Sequence, residues 1–244
     1  MIGRDDRVHM ERAHVFAWPA LRTAVIDGWL WRASGGGSQR ANSVSTIDFH
    51  GGNPESAIAE VESRYRALGV PARFQTFDET SPPGLAALLQ ARGYRQGEPT
   101  TTMFKRSGPA RTVPDVEMHQ RPSNEWRSVY LNEITDNRRS VNSLILDRIP
   151  RSSAFFLCRR GGEPIATALC VVRLGCAVIE CVATRADARR QGAAQSVLAA
   201  LEHWAARQSV DWIGLQVAVG NTPAEALYRR LGFVSGATNT FWVR

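Results

Sequence analysis

The sequence predicts an α/β (α+β) protein with a mixed, mostly antiparallel sheet flanked by helices. Short apolar segments of strand length are joined by glycine turns at Gly161, Gly162 and Gly175, which is typical of antiparallel hairpins. Longer segments carry apolar residues at helical spacing, and one of them lies between two strand-like segments, which predicts a parallel crossover. Helices must cover the sheet because each element has an apolar face to bury.

The C-terminal half shows a clear order of elements. A strand near 115–120 precedes helical segments over about 124–149, in which Trp126, Val129 and Tyr130 recur at helical spacing. The elements predicted next are strands at 154–158, 164–172 and 177–184, a helix over about 190–207, a strand at 212–219, a short helix at 223–231 and a last pair of strands ending at residue 244. The first strands form a meander, and the later strand–helix–strand unit makes the sheet mixed.

The N-terminal half repeats the later part of this order. Its peptide 88–94 resembles the peptide 227–233, with Gly93 on Gly232, an offset of 139 residues. The same offset places an amphipathic helix of about 54–68 over the beginning of the 190–207 helix, and the strand 73–77 over 212–216. Because one offset fits several elements, we favour a diverged internal duplication over chance similarity of helix ends. The polar stretch 107–114, rich in proline and glycine, is the predicted linker.

Composition places the chain among ordinary globular proteins. The sequence is 43% hydrophobic and 22% charged, which argues against disorder as the main state. It has no stretch of the roughly 18 to 20 apolar residues that a membrane-spanning helix requires, and its first residues are charged where a signal peptide would be apolar. We therefore expect a soluble, cytoplasmic protein without a membrane partner.

Charge and metal-binding residue types exclude further classes. The formal charge of +7 would suit nucleic acid, but no Lys/Arg block is interleaved with aromatic residues. A ligand with several phosphates suits the excess charge equally well, so nucleic-acid binding is not expected. The four cysteines lack the paired short spacings of zinc sites, and no histidine pairs with a cysteine or carboxylate at ligand spacing. No metal is expected.

The segment 182–194 predicts an anion site. A strand ends, a short loop carries Arg189, Arg190 and Gly192, and a helix begins with small residues such as Ala194. Free N–H groups at a helix start, the helix dipole and small side chains together favour phosphate oxygens. The arginines add forked donors. A tight strand-to-helix turn without a ligand is the alternative.

Here the sequence resembles the GCN5-related N-acetyltransferases. The pattern of Arg189, Gly192 and Ala194 after a strand is similar to their pyrophosphate-binding signature, Q/R-x-x-G-x-G/A. The segment 221–233 is similar to their second signature, N-x-x-A-x-x-L-Y-x-x-x-G-F. The resemblance is strong over about 116–244, and over the N-terminal half it rests on the repeat alone. It implies the fold of that family in tandem: a degenerate copy at 1–106, the linker at 107–114 and an acetyltransferase domain at 115–244.

The resemblance also implies site residues. Acetyl-CoA would be the cosubstrate, with its pyrophosphate on backbone N–H groups near Gly192 and its pantetheine along the strand that ends at Thr184, where an N–H near Val182 would polarise the thioester. Tyr228 would protonate the departing thiolate, or would be an aromatic core residue. The cofactor-binding residues implied are Val182, Ala183, Thr184, Arg189, Arg190, Gln191, Gly192, Ala193, Ala194 and Asn221.

Glu180 is the candidate general base. It lies two residues before Val182 on the same strand face, as a carboxylate in an apolar run. A partner arginine across the sheet would explain it equally well. Some family members carry a glutamate where this chain has Gln216, which cannot act as a base, so water-relayed proton loss stays open.

The N-terminal half is expected to serve as scaffold or as a wall of the acceptor site. The run Gly35, Gly36 and Gly37 lies between two strand-like segments with no helix directly after it, which favours a hairpin over a phosphate loop. Trp29, Trp31 and Arg40 are its candidate substrate contacts, although alternate tryptophans are also typical of a packed strand face.

Three functions fit these patterns. The first is direct attack of a small-molecule or peptide amine on acetyl-CoA within a ternary complex. The second is a non-catalytic module that binds CoA or acyl-CoA as a sensor or interaction partner. The third is a basic nucleic-acid binder, whose affinity would fall steeply with salt. Homodimer formation stays open.

Overall fold

The strands form one continuous sheet in a computed structural model that describes residues 3–109 and 114–244. The strands are β1 (Arg22–Ile26), β2 (Trp29–Ala33), β3 (Val44–Ser45), β4 (Arg73–Thr76), β5 (Arg95–Gln96), β6 (Thr100–Arg106), β7 (Val116–His119), β8 (Ser153–Arg160), β9 (Glu163–Arg173), β10 (Cys176–Thr184), β11 (Trp212–Ala218) and β12 (Val234–Val243). The helices are α1 (Arg4–Ala17), α2 (Pro54–Ala67), α3 (Leu85–Ala91), α4 (Asn124–Asn132), α5 (Asp136–Leu146), α6 (Ala193–Ala205) and α7 (Thr222–Arg230). The strand order is β1-β2-β3-β4-β12-β6-β11-β10-β9-β8-β7, and β5 pairs with β12.

The predicted fold class is confirmed. Strands β7, β8, β9 and β10 form the antiparallel meander, and β10 pairs with β11 in parallel through the crossover helix α6. Glycine turns connect β8 to β9 and β9 to β10 where the sequence predicts them. The result is a mixed sheet with helices on both faces.

β10 and β11 separate after a short parallel pairing. Their register runs from Cys176 with Trp212 to Ile179 with Leu215 and then ends, although both strands continue. On its other edge β10 has an irregularity between Glu180 and Ala183. The left-handed backbone of Cys181, at φ 54°, lies within it. The splayed ends open the sheet between two strands that would otherwise be hydrogen-bonded.

The two halves of the chain exchange strands. β6 of the N-terminal half lies between β11 and β12, with Thr102 opposite Gln216. β12 continues past β6 to pair with β4, where Thr240 lies opposite Thr76. At the offset of 139 residues, β6 corresponds to the end of β12 and β4 corresponds to β11. In two unexchanged copies, β12 would pair with β11 and β6 would pair with β4. Here β6 pairs with β11 and β12 pairs with β4, so each half supplies a strand to the other.

This exchange corrects one prediction from the sequence. The last pair of strands is a single long strand, β12, with an irregularity between Ser235 and Ala237. The place next to β11 that a second strand would take is filled by β6. The division of the chain into two domains by a linker at 107–114 stays a prediction. Residues 110–113 of that linker lie outside the described residues.

Two apolar layers cover the C-terminal sheet, and a third core lies in the N-terminal half. α6 buries Val197, Leu198 and Leu201 on one face, while α1 and α4 cover the other face. The third core contains Trp29 and Trp31, which are 0% and 6% exposed. These tryptophans are the packed strand face that the sequence left as an alternative, because their rings are enclosed by the N-terminal core.

Helix α1 was not predicted from the sequence. It places Met10, Ala13 and Ala17 on a buried face, at the helical spacing that would have revealed it. Met10 packs against Gly214 of β11, where a Cβ would overlap the thioether, so the glycine permits the close approach of helix and strand.

Within the described residues, no helix is long and apolar enough to cross a membrane.

Candidate active site

A cavity of about 1270 Å³ opens between the splayed ends of β10 and β11. Its walls also include the starts of α6 and α7, the connection between α4 and α5, and residues Trp18 and Arg40 of the N-terminal half. The predicted catalytic and cofactor-binding residues line this cavity, with the exception of Gln191. Of the candidate substrate contacts, Arg40 lines it and Trp29 and Trp31 do not. The side chain of Gln191 instead contacts Arg160 and donates to the carbonyl of Asp187 at 3.2 Å.

The start of α6 offers free backbone donors to the cavity. Its N-cap is Gly192, at φ 85°, and no side chain caps the helix. The first amide that bonds back into the turn is that of Ser196, to Gly192 at 3.0 Å. Among the described residues, the amides of Ala193, Ala194 and Gln195 have no hydrogen-bond acceptor. A Cβ at Gly192 would meet no atom within 4 Å, so a ligand can reach the backbone here.

Two arginines lie just before this helix start in the chain, and Arg230 of α7 lines the same cavity. Arg189 pairs with Glu133 and donates from Nε to the carbonyl of Thr184 at 3.3 Å. Arg190 and Arg230 line the cavity and have no carboxylate partner within residues 3–109 and 114–244. Arg230 was missed from the sequence, since it occupies one of the variable positions in the second signature. Two unpaired guanidinium groups beside free amides favour a polyanionic ligand.

The strand edge beyond Ile179 is free on the side of the cavity. Ala183 and Thr184 remain paired with β9 on the other edge of β10. Because the pairing with β11 ends at Ile179, the groups of Val182, Ala183 and Thr184 that face β11 have no strand partner in the described part of the chain. An extended amide-containing ligand can therefore add to this edge as a strand would.

Tyr228 lies on the cavity-facing side of α7. It is 8% exposed, packs against the Phe233 ring at 6.0 Å between centroids, and its hydroxyl makes no hydrogen bond with the described residues. Burial, together with the charge of Glu180, raises the pKa of Tyr228 to about 12. The phenol is therefore protonated at neutral pH and can donate. Asn221 caps α7 by accepting from the amide of Ala224 at 3.4 Å.

Glu180 is held by an arginine of the N-terminal half. Arg40 donates to both carboxylate oxygens, at 2.6 and 2.5 Å, and His14 Nδ1 lies 3.8 Å from Oε1. Burial alone would raise the pKa of Glu180, but the charge and hydrogen bonds of Arg40, with His14, outweigh burial and lower the pKa to about 2. The partner arginine that the sequence left as an alternative is thus present.

Gln216 is tied to a buried carboxylate behind the cavity wall. Its Nε2 donates to Glu11 Oε2 at 3.1 Å and to Thr102 Oγ1 at 3.2 Å, while its Oε1 is buried without a partner. Asn239 and Thr102 also donate to Glu11. These contacts fix the amide orientation, with Oε1 left as an acceptor. Glu11 and His14 were missed because α1 was not predicted.

The arrangement can hold an extended polyphosphate ligand and deliver a proton at its far end. Free amides at a helix start, an unpaired strand edge and a buried tyrosine all line one cavity. Within the described residues, no group of three or more His, Cys, Asp or Glu side chains could hold a metal ion. The fold is that of the GCN5-related N-acetyltransferases, and the matching sequence family and relative show an acyltransferase.

Comparison with known proteins identifies the family. Residues 6–240 match the sequence family described as "Probable histone acetyltransferase Rv0428c C-terminal", and the chain belongs to it. The chain is 30% identical to the uncharacterized N-acetyltransferase YobR of Bacillus subtilis (strain 168) over 240 residues, 94% of this chain and 95% of that protein.

Two solved structures share the fold. A GCN5-related N-acetyltransferase from Kribbella flavida superposes with a TM-score of 0.73 and 17% identity, covering 97% of this chain and 95% of that one. A tandem GNAT protein from the clavulanic acid biosynthesis pathway superposes with a TM-score of 0.67 and 13% identity, over 100% and 96% of the two chains. The second likeness fits the internal repeat predicted from the sequence.

Proposed function

We propose that the chain is an N-acetyltransferase that moves an acetyl group from acetyl-CoA to a primary amine by direct attack in a ternary complex. The observation that carries this proposal is the uncapped start of α6, which opens into the same cavity as Tyr228. A phosphate-binding end and a proton donor in one cavity match a long thioester better than a short anion.

The cavity walls suggest how acetyl-CoA would lie. Its pyrophosphate would accept from the free amides of residues 193–195, with Arg190 and Arg230 beside it. Its pantetheine amides would pair with the free edge of β10 toward Val182. An N–H near Val182 would then stabilise negative charge on the thioester oxygen.

The chemistry needs two proton transfers. The amine nitrogen attacks the carbonyl carbon, forming the C–N bond, and the C–S bond breaks with its electron pair on sulfur. Tyr228 gives its proton to the thiolate and regains one from solvent, for which its hydroxyl is protonated and free. The attacking amine must also lose a proton before or during the attack.

Glu180 is the proposed acceptor of that second proton, with a water relay as the alternative. While Arg40 holds it, a carboxylate with a pKa of about 2 accepts a proton weakly, so this role requires the Arg40 pair to loosen. Glu180→Gln separates the two routes. If this variant loses turnover even at a pH where the amine is already neutral, Glu180 has a positioning role. If the loss is confined to lower pH, where the amine must lose a proton, Glu180 is the general base.

The proposal is tested by following thiol release from acetyl-CoA with a panel of amines. The panel should include amino acids, polyamines, peptide N-termini and a histone-tail peptide, because the matching family is described as a probable histone acetyltransferase. Intersecting initial-velocity lines would support the ternary complex, and parallel lines would contradict it. Binding of acetyl-CoA without turnover on any amine would favour the non-catalytic sensor instead.

A further inference from the structure

We propose that the acceptor is an amine that also carries a carboxylate, and that Arg138 of α5 binds this carboxylate. This inference rests on the proposed acetyl transfer and names the class of its acceptor. The supporting observations are the charge of the cavity wall, the lack of a partner for Arg138 and the unsatisfied acceptor on Gln216.

The cavity wall carries an excess of positive charge. Its ionisable acids are Glu133 and Glu180, and each is already bound to an arginine. Its arginines are Arg40, Arg138, Arg189, Arg190 and Arg230. Arg190 lies just before the start of α6 in the chain and Arg230 lines the same cavity, so the phosphates of the cosubstrate would neutralise them. That assignment leaves Arg138 without a counter-charge.

Arg138 of α5 lines the same cavity as Glu180 and Cys181 of β10, the strand that carries the proposed reaction centre. The Nε of Arg138 is buried without a hydrogen-bond partner, and in the described residues its guanidinium forms no ion pair.

An arginine in this state favours an anionic ligand. A buried guanidinium donor without an acceptor is costly, and the planar fork of arginine matches a carboxylate in two parallel hydrogen bonds. The N-terminal half closes the space behind it, since a Cβ at Gly37 would lie 3.4 Å from the Cα of Arg138. A polyamine or a lysine-rich peptide would instead bring positive charge against a positive wall.

The same cavity offers an acceptor for the amine. Gln216 Oε1 is buried without a partner, and the two donations from its Nε2 hold the amide in place. This oxygen has no surface open to the cavity, so a substrate N–H can donate to it only when the neighbouring side chains shift. An acceptor with an amine and a carboxylate would therefore satisfy both unpaired groups.

Matched pairs of acceptors test the inference. With acetyl-CoA present, α-amino acids are compared with the amines left when their carboxylate is removed, for example phenylalanine with phenethylamine and lysine with cadaverine. We expect kcat/KM to be at least about 10-fold higher for the acid of the preferred pair, as one charge-assisted contact implies. Arg138→Gln should abolish this preference through KM. The matched control is Arg151→Gln, because Arg151 is exposed and lies outside the cavity. This variant should keep the preference for the acid.

The outcomes separate this inference from the proposed function. Equal or better transfer to the decarboxylated members overturns the carboxylate inference and leaves acetyl transfer in place. A preference for the acids that survives in Arg138→Gln also overturns it, because another residue would then bind the carboxylate. If no member of any pair is acetylated while another amine of the panel is, the carboxylate inference is wrong and acetyl transfer stands. If no amine of the whole panel is acetylated, acetyl transfer itself is contradicted, and this inference with it.

Discussion

The two halves of the chain begin corresponding helices in opposite ways. α6 begins at Gly192, with no side-chain cap and with free amides that face the cavity. At the offset of 139 residues, Gly192 corresponds to Asn53, which caps α2 by accepting from the amides of Glu55 and Ser56 at 2.9 and 3.4 Å. The next residue of α2 is Pro54, which has no N–H to offer. The start of α6 is therefore open to an anion, and the start of α2 is closed by the side chain of Asn53.

If the chain arose by the proposed duplication, the difference teaches what one half can lose while it keeps the fold. At the same offset, Tyr228 corresponds to Leu89, a fully buried core residue. The N-terminal half thus lacks both the free amides and the proton donor. It still serves the cavity of the other half through Trp18 and through Arg40, which holds Glu180. In our interpretation the first half is a wall of the site rather than a second site.

Arg40→Met should have the largest effect, on stability, because it removes the charged partner of a buried carboxylate. Glu180 would be left buried without its partner, so the free energy of unfolding at pH 7 should fall by about 3 to 5 kcal/mol in denaturant titration. The folded pKa of Glu180, about 2, lies below its ordinary 4.5, so the stabilisation by this pair is present above pH 4.5 and is lost as pH falls toward 2. The difference between variant and wild type should therefore shrink over that range.

The control for Arg40→Met is Arg64→Met, which breaks an exposed pair with Glu60 on α2. That loss should be below about 0.5 kcal/mol, since exposed helix pairs contribute little. Equal losses in the two variants would mean that Glu180 does not depend on the N-terminal half.

Tyr228→Phe tests the second difference between the halves. Turnover should fall at least about 100-fold with little change in acetyl-CoA affinity, because only the proton donor is removed. Steady-state kinetics and calorimetry measure the two quantities. Tyr94→Phe is the matched control, since the Tyr94 hydroxyl donates to Glu62 outside the cavity. Unchanged turnover of Tyr228→Phe across the pH range would exclude the acid role.

Gly192→Val tests the open helix start directly. The side chain would fill the space that a phosphate needs, and the dissociation constant of acetyl-CoA should rise by about 10- to 100-fold, as expected for lost charged hydrogen bonds. Gly93→Val is the control: Gly93 has a similar φ of 83° and equally open surroundings, so it carries the same backbone strain away from the cavity. If both variants bind acetyl-CoA normally in calorimetry, the phosphates lie elsewhere.

Asn53→Ala should have the smallest effect. Removing the cap of α2 should cost about 1 kcal/mol of unfolding free energy and leave acetyl-CoA binding unchanged. Asn221→Ala removes the cap of α7, which lines the cavity, and should lower both stability and binding. Weaker acetyl-CoA binding in Asn53→Ala would show that the closed helix start still takes part in the site.

The parts of the site that the sequence predicts are local ones. The loop at Arg189–Ala194 and the segment around Tyr228 each combine a turn, a helix start and small residues within a few positions, so their structure follows from neighbouring residues. The meander of β8, β9 and β10 is equally local, because glycine turns join its strands. These features can be found without knowing which distant segments meet.

The parts that the sequence does not predict depend on distant contacts. Arg40 and Glu180 are 140 residues apart, and neither has a local signal for the other. Arg138 looks like any exposed helix residue until Gly37 and β10 are placed beside it. β6 reads as the last strand of its own half, and only the sheet shows that it pairs with β11.

The exchange of β6 and β12 has a consequence for biosynthesis. On the ribosome, β4 emerges long before residues 234–243, yet those residues form one of its two neighbours in the sheet. Until they are made, β4 has an unpaired edge, which is a template for unwanted association. The two copies must therefore mature together, and cutting the gene at the linker should yield two fragments that associate with each other or aggregate.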